Sequence, residues 1–312
     1  MILVSLFLMT LAHLIQDLSR KIIMAMIITT NIASLNAQRY LDQTQNALQT
    51  AMQQLSSGLR INSAADDPSG LAISDGMTSQ INGMTVAIQN ANDGISMVQT
   101  ADGAMASLTD TLQTMRDLAV QASNFGTVSS ANREQLSTEF KQLSDELGRV
   151  IKNTQFNGKG ILNGSLSHAN FQIGANVTAD NQISVDVGNL MSASGLAYMA
   201  VQGNGGAPGA LSIGSNATSL NTRSTIATID IAIKSLDTAR ATLGAVQNRF
   251  TATITNLQDA ITNQSASRSR IEDTDFAATT STLSKEQILQ QAGTAMLAQA
   301  NQSNQNVMQL LK

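Results

Sequence analysis

The sequence predicts a mainly α fold, a long antiparallel coiled-coil helical bundle with a small β-hairpin region and paired terminal helices. Three observations carry that prediction. From Ile226 to Ile261 the apolar residues Ile226, Ile229, Ile233, Leu236, Leu243, Phe250, Ile254, Leu257 and Ile261 fall in steps built from three and four. Only Arg240 and Gln247 put polar groups on that seam. A 3.5-residue period held this long keeps one narrow edge of a helix against a partner helix, and at about 1.5 Å per residue the rod is on the order of 50 Å long. Second, aromatics make up 3% of the chain and Trp is absent, which suits helices meeting through small and aliphatic side chains. Third, the two prolines, Pro68 and Pro208, lie outside the heptad runs, so no helix carries an internal breaker.

Taken in order, residues 1–23 stand apart. Their apolar run is interrupted by His13, Gln16 and Asp17, and no basic region precedes it. They read as an extension from a misassigned start ahead of Met24 or Met26, with an export or anchoring segment as the alternative. A helix with the seam Leu41, Gln45, Leu48, Met52, Leu55 and Leu59 follows, ending near Ser57-Gly58, where Gly favours a C-terminal cap.

Next comes RINSAADDPSG, Arg60 to Gly70. Its paired Asp66 and Asp67 read as a loop that hydrogen-bonds its own backbone rather than as a metal or acid–base pair. Arg60 is expected to give them a charge-assisted hydrogen bond. A third helix takes its seam from Met77, Ile81, Met84, Ile88, Ala91, Ile95, Val98 and Met105, interrupted by Asp102. A three-residue stammer then shifts the phase to Leu108, Leu112, Met115, Ala119 and Ala122. Asn124–Ser130 is a turn with Ser130 as N-cap, and a fourth helix carries Leu136, Phe140, Leu143, Leu147 and Val150, antiparallel to the third.

Period-two alternation at Phe171/Ile173 and Ile183/Val185/Val187 predicts a hairpin of Asn170–Ala175 with Gln182–Gly188. Residues 189–219 are Gly/Ala/Ser-rich and read as an exposed connection, and His168 at the edge of this region as a solvated loop residue. After the long helix, Ser267–Ala277 reads as a charged break, and the last helix places Leu289, Ala292, Met296, Ala300, Val307 and Leu310 on one stripe.

Function classes fall away quickly. The net charge of −4 comes without a basic cluster, which argues against nucleic acid. The absence of cysteine excludes disulfides, thiolate metal sites and Cys nucleophiles. Two histidines, His13 and His168, and no convergent carboxylates leave no material for a catalytic site, so neither cofactor nor metal is expected. The ends say more. They are helical in pattern, nearly uncharged and poor in large apolar residues, which suits mobility in the free chain and burial among copies of itself. Leu41, Leu48, Leu55, Leu289, Met296, Val307 and Leu310 are the candidate self-assembly residues, with Arg60, Asp66 and Asp67 in the loop beside them.

Long blocks of this sequence resemble bacterial flagellin: SLNAQRYL (Ser34–Leu41), LSSGLRINSAADDPSGLAIS (Leu55–Ser74), NANDGISMVQTADGA (Asn90–Ala104), MRDLAVQASN (Met115–Asn124), NTQFNGKGIL (Asn153–Leu162), SRIEDTDFA (Ser269–Ala277) and ILQQAGTAMLAQANQ (Ile288–Gln302). The resemblance covers nearly all of Met26 to Lys312. It implies a secreted subunit of the extracellular flagellar filament that serves swimming motility. Export would use the flagellar type III apparatus and a secretion chaperone, and assembly would involve junction and cap proteins. It also implies a division into core-tube helices at 24–59 and 271–312, shell segments at 60–188 and 220–270, and a short outer connection at 189–219. A zinc peptidase carried by some relatives is not implied, because no HExxH occurs. Gln113, Leu118 and Glu139 match the surface by which family members meet an innate immune receptor, while Thr114 stands where strongly recognised relatives have Arg. The alternatives are a hook-filament junction protein and a flagellin-like surface adhesin or polysaccharide receptor.

Overall fold

The computed structural model describes residues 30–166, 168–190, 192, 196 and 212–310, without the side chains of 303–310. Its helices are α1 (Ile32–Ser57), α2 (Pro68–Ala122), α3 (Ser130–Asn153), α4 (Ser219–Glu272) and α5 (Phe276–Leu310). Four short strands, β1 (Gln155–Phe156), β2 (Lys159–Gly160), β3 (Ala169–Gln172) and β4 (Gln182–Val185), lie between α3 and α4. The chain divides into two compact units, Asp75–Arg268 and Met1–Ser74 with Ser269–Lys312. Residues 1–23 and most of the connection 189–219 lie outside the described residues.

The core of the Asp75–Arg268 unit is a set of seven-residue repeats. On α4, Ile229, Leu236, Leu243 and Phe250 are each at most 1% exposed. On α2, Ala91, Val98, Met105, Leu112 and Ala119 form one buried row, and Ala87, Gly94, Ala101, Leu108, Met115 and Ala122 form another. These rows continue without a change of phase, so the expected stammer is absent. The second seam position passes through Ala87, Gly94 and Ala101, whose small side chains bury an edge that a search for large apolar residues passes over. Phe250 explains the choice of glycine, since a Cβ at Gly94 would come within 2.6 Å of its ring. The same ring receives Phe171 of β3 edge-on at 5.5 Å between centroids.

The two charges that interrupt these seams meet each other. Arg240 Nε donates to Asp102 Oδ1 at 2.8 Å, and Arg116 Nε to Asp230 Oδ1 at 2.7 Å. In one pair the acid is on α2, in the other on α4. Each guanidinium is driven above its ordinary pKa chiefly by that hydrogen bond. All four side chains are at least 36% exposed, so the pairs orient the helices more than they stabilise them.

Helix α3 shares the core through Phe140, Leu147 and Ile151. Its N-cap is Ser129, whose hydroxyl accepts from the Asn132 N–H, one residue earlier than expected. Arg133 lies over the Phe125 ring at 4.4 Å and donates to the Val128 carbonyl at 3.0 Å, pinning the preceding turn.

The predicted hairpin is present as β3 and β4, antiparallel with Phe171 opposite Ile183. Ile183 and Val185 are buried while Gln182 and Ser184 face out, the alternation that a half-covered strand requires. A second hairpin, β1–β2, was not expected. Its two-residue turn is Asn157-Gly158 with φ of 48° and 76°. That Asn-Gly pair is the usual signature of such a turn, masked because each strand is only two residues long.

In the other unit two non-helical breaks lie against one another. Helix α1 stops at Gly58, in the left-handed region at φ 75°. The Arg60 N–H donates to the Glu272 carbonyl at 2.6 Å, the Thr274 N–H to the Gly58 carbonyl at 2.9 Å, and Leu59 bridges to Asp273. The break expected over Ser267–Ala277 is only Asp273–Asp275, because α4 continues to Glu272 and Asp275 caps α5 through the Ala277 and Ala278 amides. Asp66 accepts from the Asn62 and Ser63 amides and the Ser63 hydroxyl; Asp67 accepts from the Ser69 and Gly70 amides and the Ser69 hydroxyl, capping α2 ahead of Pro68. Arg60 departs from its expected role: its guanidinium donates to the Ile271 carbonyl rather than to either Asp.

Gly94→Ala is expected to destabilise the Asp75–Arg268 unit by about 1–3 kcal/mol, since the added methyl forces the Phe250 ring from its place; chemical denaturation of the monomer measures this. The loop gives a pH dependence. Hydrogen bonds led by the Gly70 amide hold the Asp67 carboxyl below its usual range, and those led by the Ser63 hydroxyl do the same for Asp66. A depressed folded-state pKa contributes stability at neutral pH that disappears as pH falls through it, from about pH 4 downward. Thermal melts between about pH 5 and pH 2 should show a smaller loss for Asp67→Asn than for the unmodified chain.

Candidate functional site

The helix pair α1 and α5 is the part of the molecule whose surface asks for a partner. The two run antiparallel, with Asn31 Nδ2 donating to the Ala300 carbonyl at 2.9 Å and Ser34 Oγ to Asn301 Oδ1 at 2.9 Å. Further along, Leu41 packs on Gly293, and the Phe276 ring lies against Gly58. Exposure follows a heptad on both helices. Ser34, Ala37, Leu41, Thr44, Leu48, Ala51 and Leu55 are covered on α1, and Thr279, Leu283, Glu286, Gln290, Gly293, Leu297 and Ala300 on α5. Five of these fourteen residues are polar, and they include a carboxylate, Glu286, only 8% exposed.

Leucines fill much of the rest of the seam, yet several other large apolar side chains stay open. Ile32, Leu35, Tyr40 and Met52 on α1 are 49–61% exposed, and Ile288, Leu289 and Met296 on α5 are 42–66% exposed. Between the helices opens a groove of about 460 Å³, lined by Ala33, Ala37, Tyr40, Leu41, Leu289 and Met296 among others. None of the residues lining it is titratable at neutral pH, so it can bury apolar surface and has nothing with which to do chemistry.

The structure thus separates residues that the sequence grouped as self-assembly candidates. Leu41, Leu48 and Leu55 face α5 within the chain, half covered, whereas Leu289 and Met296 lie off the α1–α5 contact and stay open. Met52, expected on the α1 seam, is 49% exposed. The backbone of Val307 and Leu310 continues α5, and their side chains lie outside the described residues. The polar inner seam was missed because an apolar search ignores Thr279, Glu286 and Gln290; their spacing of seven and four is its only trace.

On the other unit, Gln113, Thr114 and Glu139 are exposed, and Thr114 returns its hydroxyl to the Asp110 carbonyl at 3.1 Å. Leu118 differs from expectation. It is 8% exposed and belongs to the core, because it lies beside Ala119 and Met115 rather than on the outer face. Among the described residues no group of three or more carboxylate or imidazole side chains could hold a metal, and no helix is long and apolar enough to cross a membrane.

Comparison with known proteins agrees along the chain. The family model described as bacterial flagellin N-terminal helical region matches residues 28–167, and that described as bacterial flagellin C-terminal helical region matches 226–311. Flagellin B of Vibrio cholerae is 35% identical over 378 aligned positions, covering 92% of this chain and all of the relative. Polar flagellin C of Vibrio parahaemolyticus is 36% identical over 385, covering 93% of this chain and all of the relative. In fold alone, the chain is similar to a putative flagellar hook-associated protein from Vibrio parahaemolyticus, with TM-score 0.52 and 13% identity over 67% of this chain and all of that one. The helical pair with open apolar stripes, the seven-residue repeats and these matches lead to one conclusion: the chain belongs to the bacterial flagellin family, and it is a structural subunit of the flagellar filament, not an enzyme.

Proposed function

We propose that the filament grows by burying the open stripes of α1 and α5 between copies, with the Asp75–Arg268 unit forming the layer outside that core. The observation that carries this reading is the location of exposed apolar surface. The large side chains of the helix pair named above stand at 42–66% exposure on helices that hold only four charged residues. An ordinary solvated helix face carries Lys and Glu, and an uncharged face of this kind gains free energy when covered, about 25 cal/mol per Å² of apolar area. The polar intrachain seam fits the same reading, because a weakly held pair can readjust as neighbours arrive.

The protein is extracellular, as its relatives' filaments are. We extend its partners, beyond its own copies, to the flagellar export apparatus with a secretion chaperone, and to junction and cap proteins at the filament's ends. The family's innate-receptor surface falls on the exposed side chains Gln113, Thr114 and Glu139, with Leu118 beneath them as support.

Leu289→Asp and Met296→Asp test the assembly surface. Both positions are open in the monomer, so its thermal unfolding should stay within about 0.5 kcal/mol of the unmodified chain. Seeded polymerisation followed by light scattering and electron microscopy should be abolished, and filaments of normal yield would refute the assignment. For the receptor face, Thr114→Arg should raise potency about tenfold or more in a receptor-reporter dose response with monomeric protein, since a central Arg supplies a charged planar fork. Equal potency would remove Thr114 from the site.

A further inference from the structure

The helix pair carries two exposed stripes that complement one another and do not meet within a chain. The first is on α1: Ile32, Leu35, Arg39 and Asp42, in steps of three, four and three. All four are exposed, Ile32 at 58% and Leu35 at 55%. At 100° per residue this stripe lies on the side of α1 turned away from the seam of Ser34, Ala37, Leu41 and Thr44 that faces α5. The second is on α5: Lys285, Leu289, Ala292 and Met296, in steps of four, three and four. Leu289 is 42% and Met296 64% exposed, and the Lys285 side chain is 71% exposed.

Each stripe has apolar residues at one end and charge at the other. Arg39 and Asp42 are the only charged residues of α1, and Lys285 and Glu286 the only ones of α5. Glu286 is turned into the seam and largely covered. Its carboxylate lies 3.7 Å from the Lys285 ammonium, a surface contact between adjacent residues that constrains Lys285 little. Arg39 rests over the ring of its neighbour Tyr40 at 5.6 Å, and Asp42 has no ion-pair partner among the described residues.

From these observations, and resting on the filament reading above, we propose that the outward stripe of α1 in one copy packs antiparallel on the Lys285–Met296 stripe of α5 in a second copy, with Asp42 of one paired to Lys285 of the other. Antiparallel is the sense in which α1 and α5 already run within the chain, so the two copies keep the same polarity. The spacing matches, since ten residues separate Ile32 from Asp42 and eleven separate Lys285 from Met296, both about 15 Å along a helix. With Asp42 set against Lys285, Leu35 falls opposite Ala292 and Ile32 opposite Met296. Arg39 lays its aliphatic stem across Leu289 with its head free to reach the rim. The two stripes are different surfaces, so the contact is head-to-tail and each copy leaves one stripe open for the next. That arrangement propagates as an open polymer and does not close into a dimer.

Charge reversal with mixing tests this directly. Asp42→Lys and Lys285→Asp are purified as full-length monomers, and seeded elongation is measured by light scattering for each alone, for their equimolar mixture and for the double variant. Each single reversal sets like charges against each other and should raise the critical concentration about tenfold. The mixture should elongate near the unmodified level. In it the lysine introduced in one variant meets the aspartate introduced in the other, and the unaltered Asp42 and Lys285 meet in turn. The double variant, with acid and base exchanged, should recover likewise. Rescue by mixing needs contact between copies, so a purely intrachain role for either residue predicts none. Singles that elongate normally, or a mixture as poor as its components, would overturn the pairing. Failure of the unmodified chain to polymerise would instead overturn the filament reading on which the pairing rests.

Discussion

The close approach of α2 and α4 at Gly94 and Phe250 is the constraint on which the Asp75–Arg268 unit depends. The aromatic ring occupies the space where a Cβ would stand, and Phe171 packs edge-on against the same ring. One glycine therefore sets how near two long helices come and where the β3–β4 hairpin settles. The hairpin is tied down again where Asn90 Nδ2 donates to the Gln172 carbonyl at 3.0 Å. Ala87 and Ala101 continue the same edge one heptad either side, so the small residues on α2 make room for the large ones on α4.

Charge then does what apolar packing leaves open. A heptad seam has many near-equivalent registers, each seven residues from the next, and apolar side chains distinguish them poorly. Asp102 with Arg240 and Arg116 with Asp230 distinguish them well, because acid and base exchange helices between the two pairs. Moving α4 by seven residues in one direction sets Arg116 against Arg223; in the other Arg116 meets Asp237 but Asp102 meets Gln247, so only the observed register keeps both pairs. The exposed pairs add little to stability and much to the uniqueness of the register.

The helix pair of the other unit follows the opposite design. Its inner seam holds Thr44, Thr279, Glu286 and Gln290 where the larger unit holds Leu, Met and Phe. The seam leucines are only half covered, and Ile32, Leu35, Tyr40, Leu289 and Met296 are turned outward. The two breaks of this unit meet at one junction, where Gly58, Arg60, Glu272 and Thr274 exchange backbone hydrogen bonds and the Asp66 and Asp67 carboxylates satisfy a turn. A firm junction with an underfilled helix pair suits a subunit that completes its packing only among its own copies.

By itself the sequence determined the fold class, the number and order of the long helices, the main hairpin and the family, while α4 ends at Glu272, eleven residues beyond its last seam residue, Ile261. It could do so because heptad spacing, Asp-Pro and Ser-Gly punctuation and period-two alternation are local signals with local causes. The Asp66 and Asp67 loop was legible for the same reason, since a carboxylate that caps its own backbone needs no distant partner. On α1 the predicted Leu41, Leu48 and Leu55 do face inward, but tertiary structure alone decided which face of α5 does. On α5 the stripe of Leu289 and Met296 and the stripe of Thr279, Glu286 and Gln290 are both regular, and hydrophobicity favours the first, yet the second faces α1. On that face Gly293 leaves room for the Leu41 side chain, a fit that no residue on either helix encodes alone. The carbonyl claimed by Arg60 was decided in the same way, by a neighbour about 210 residues distant in the chain, and Leu118 by joining the buried core.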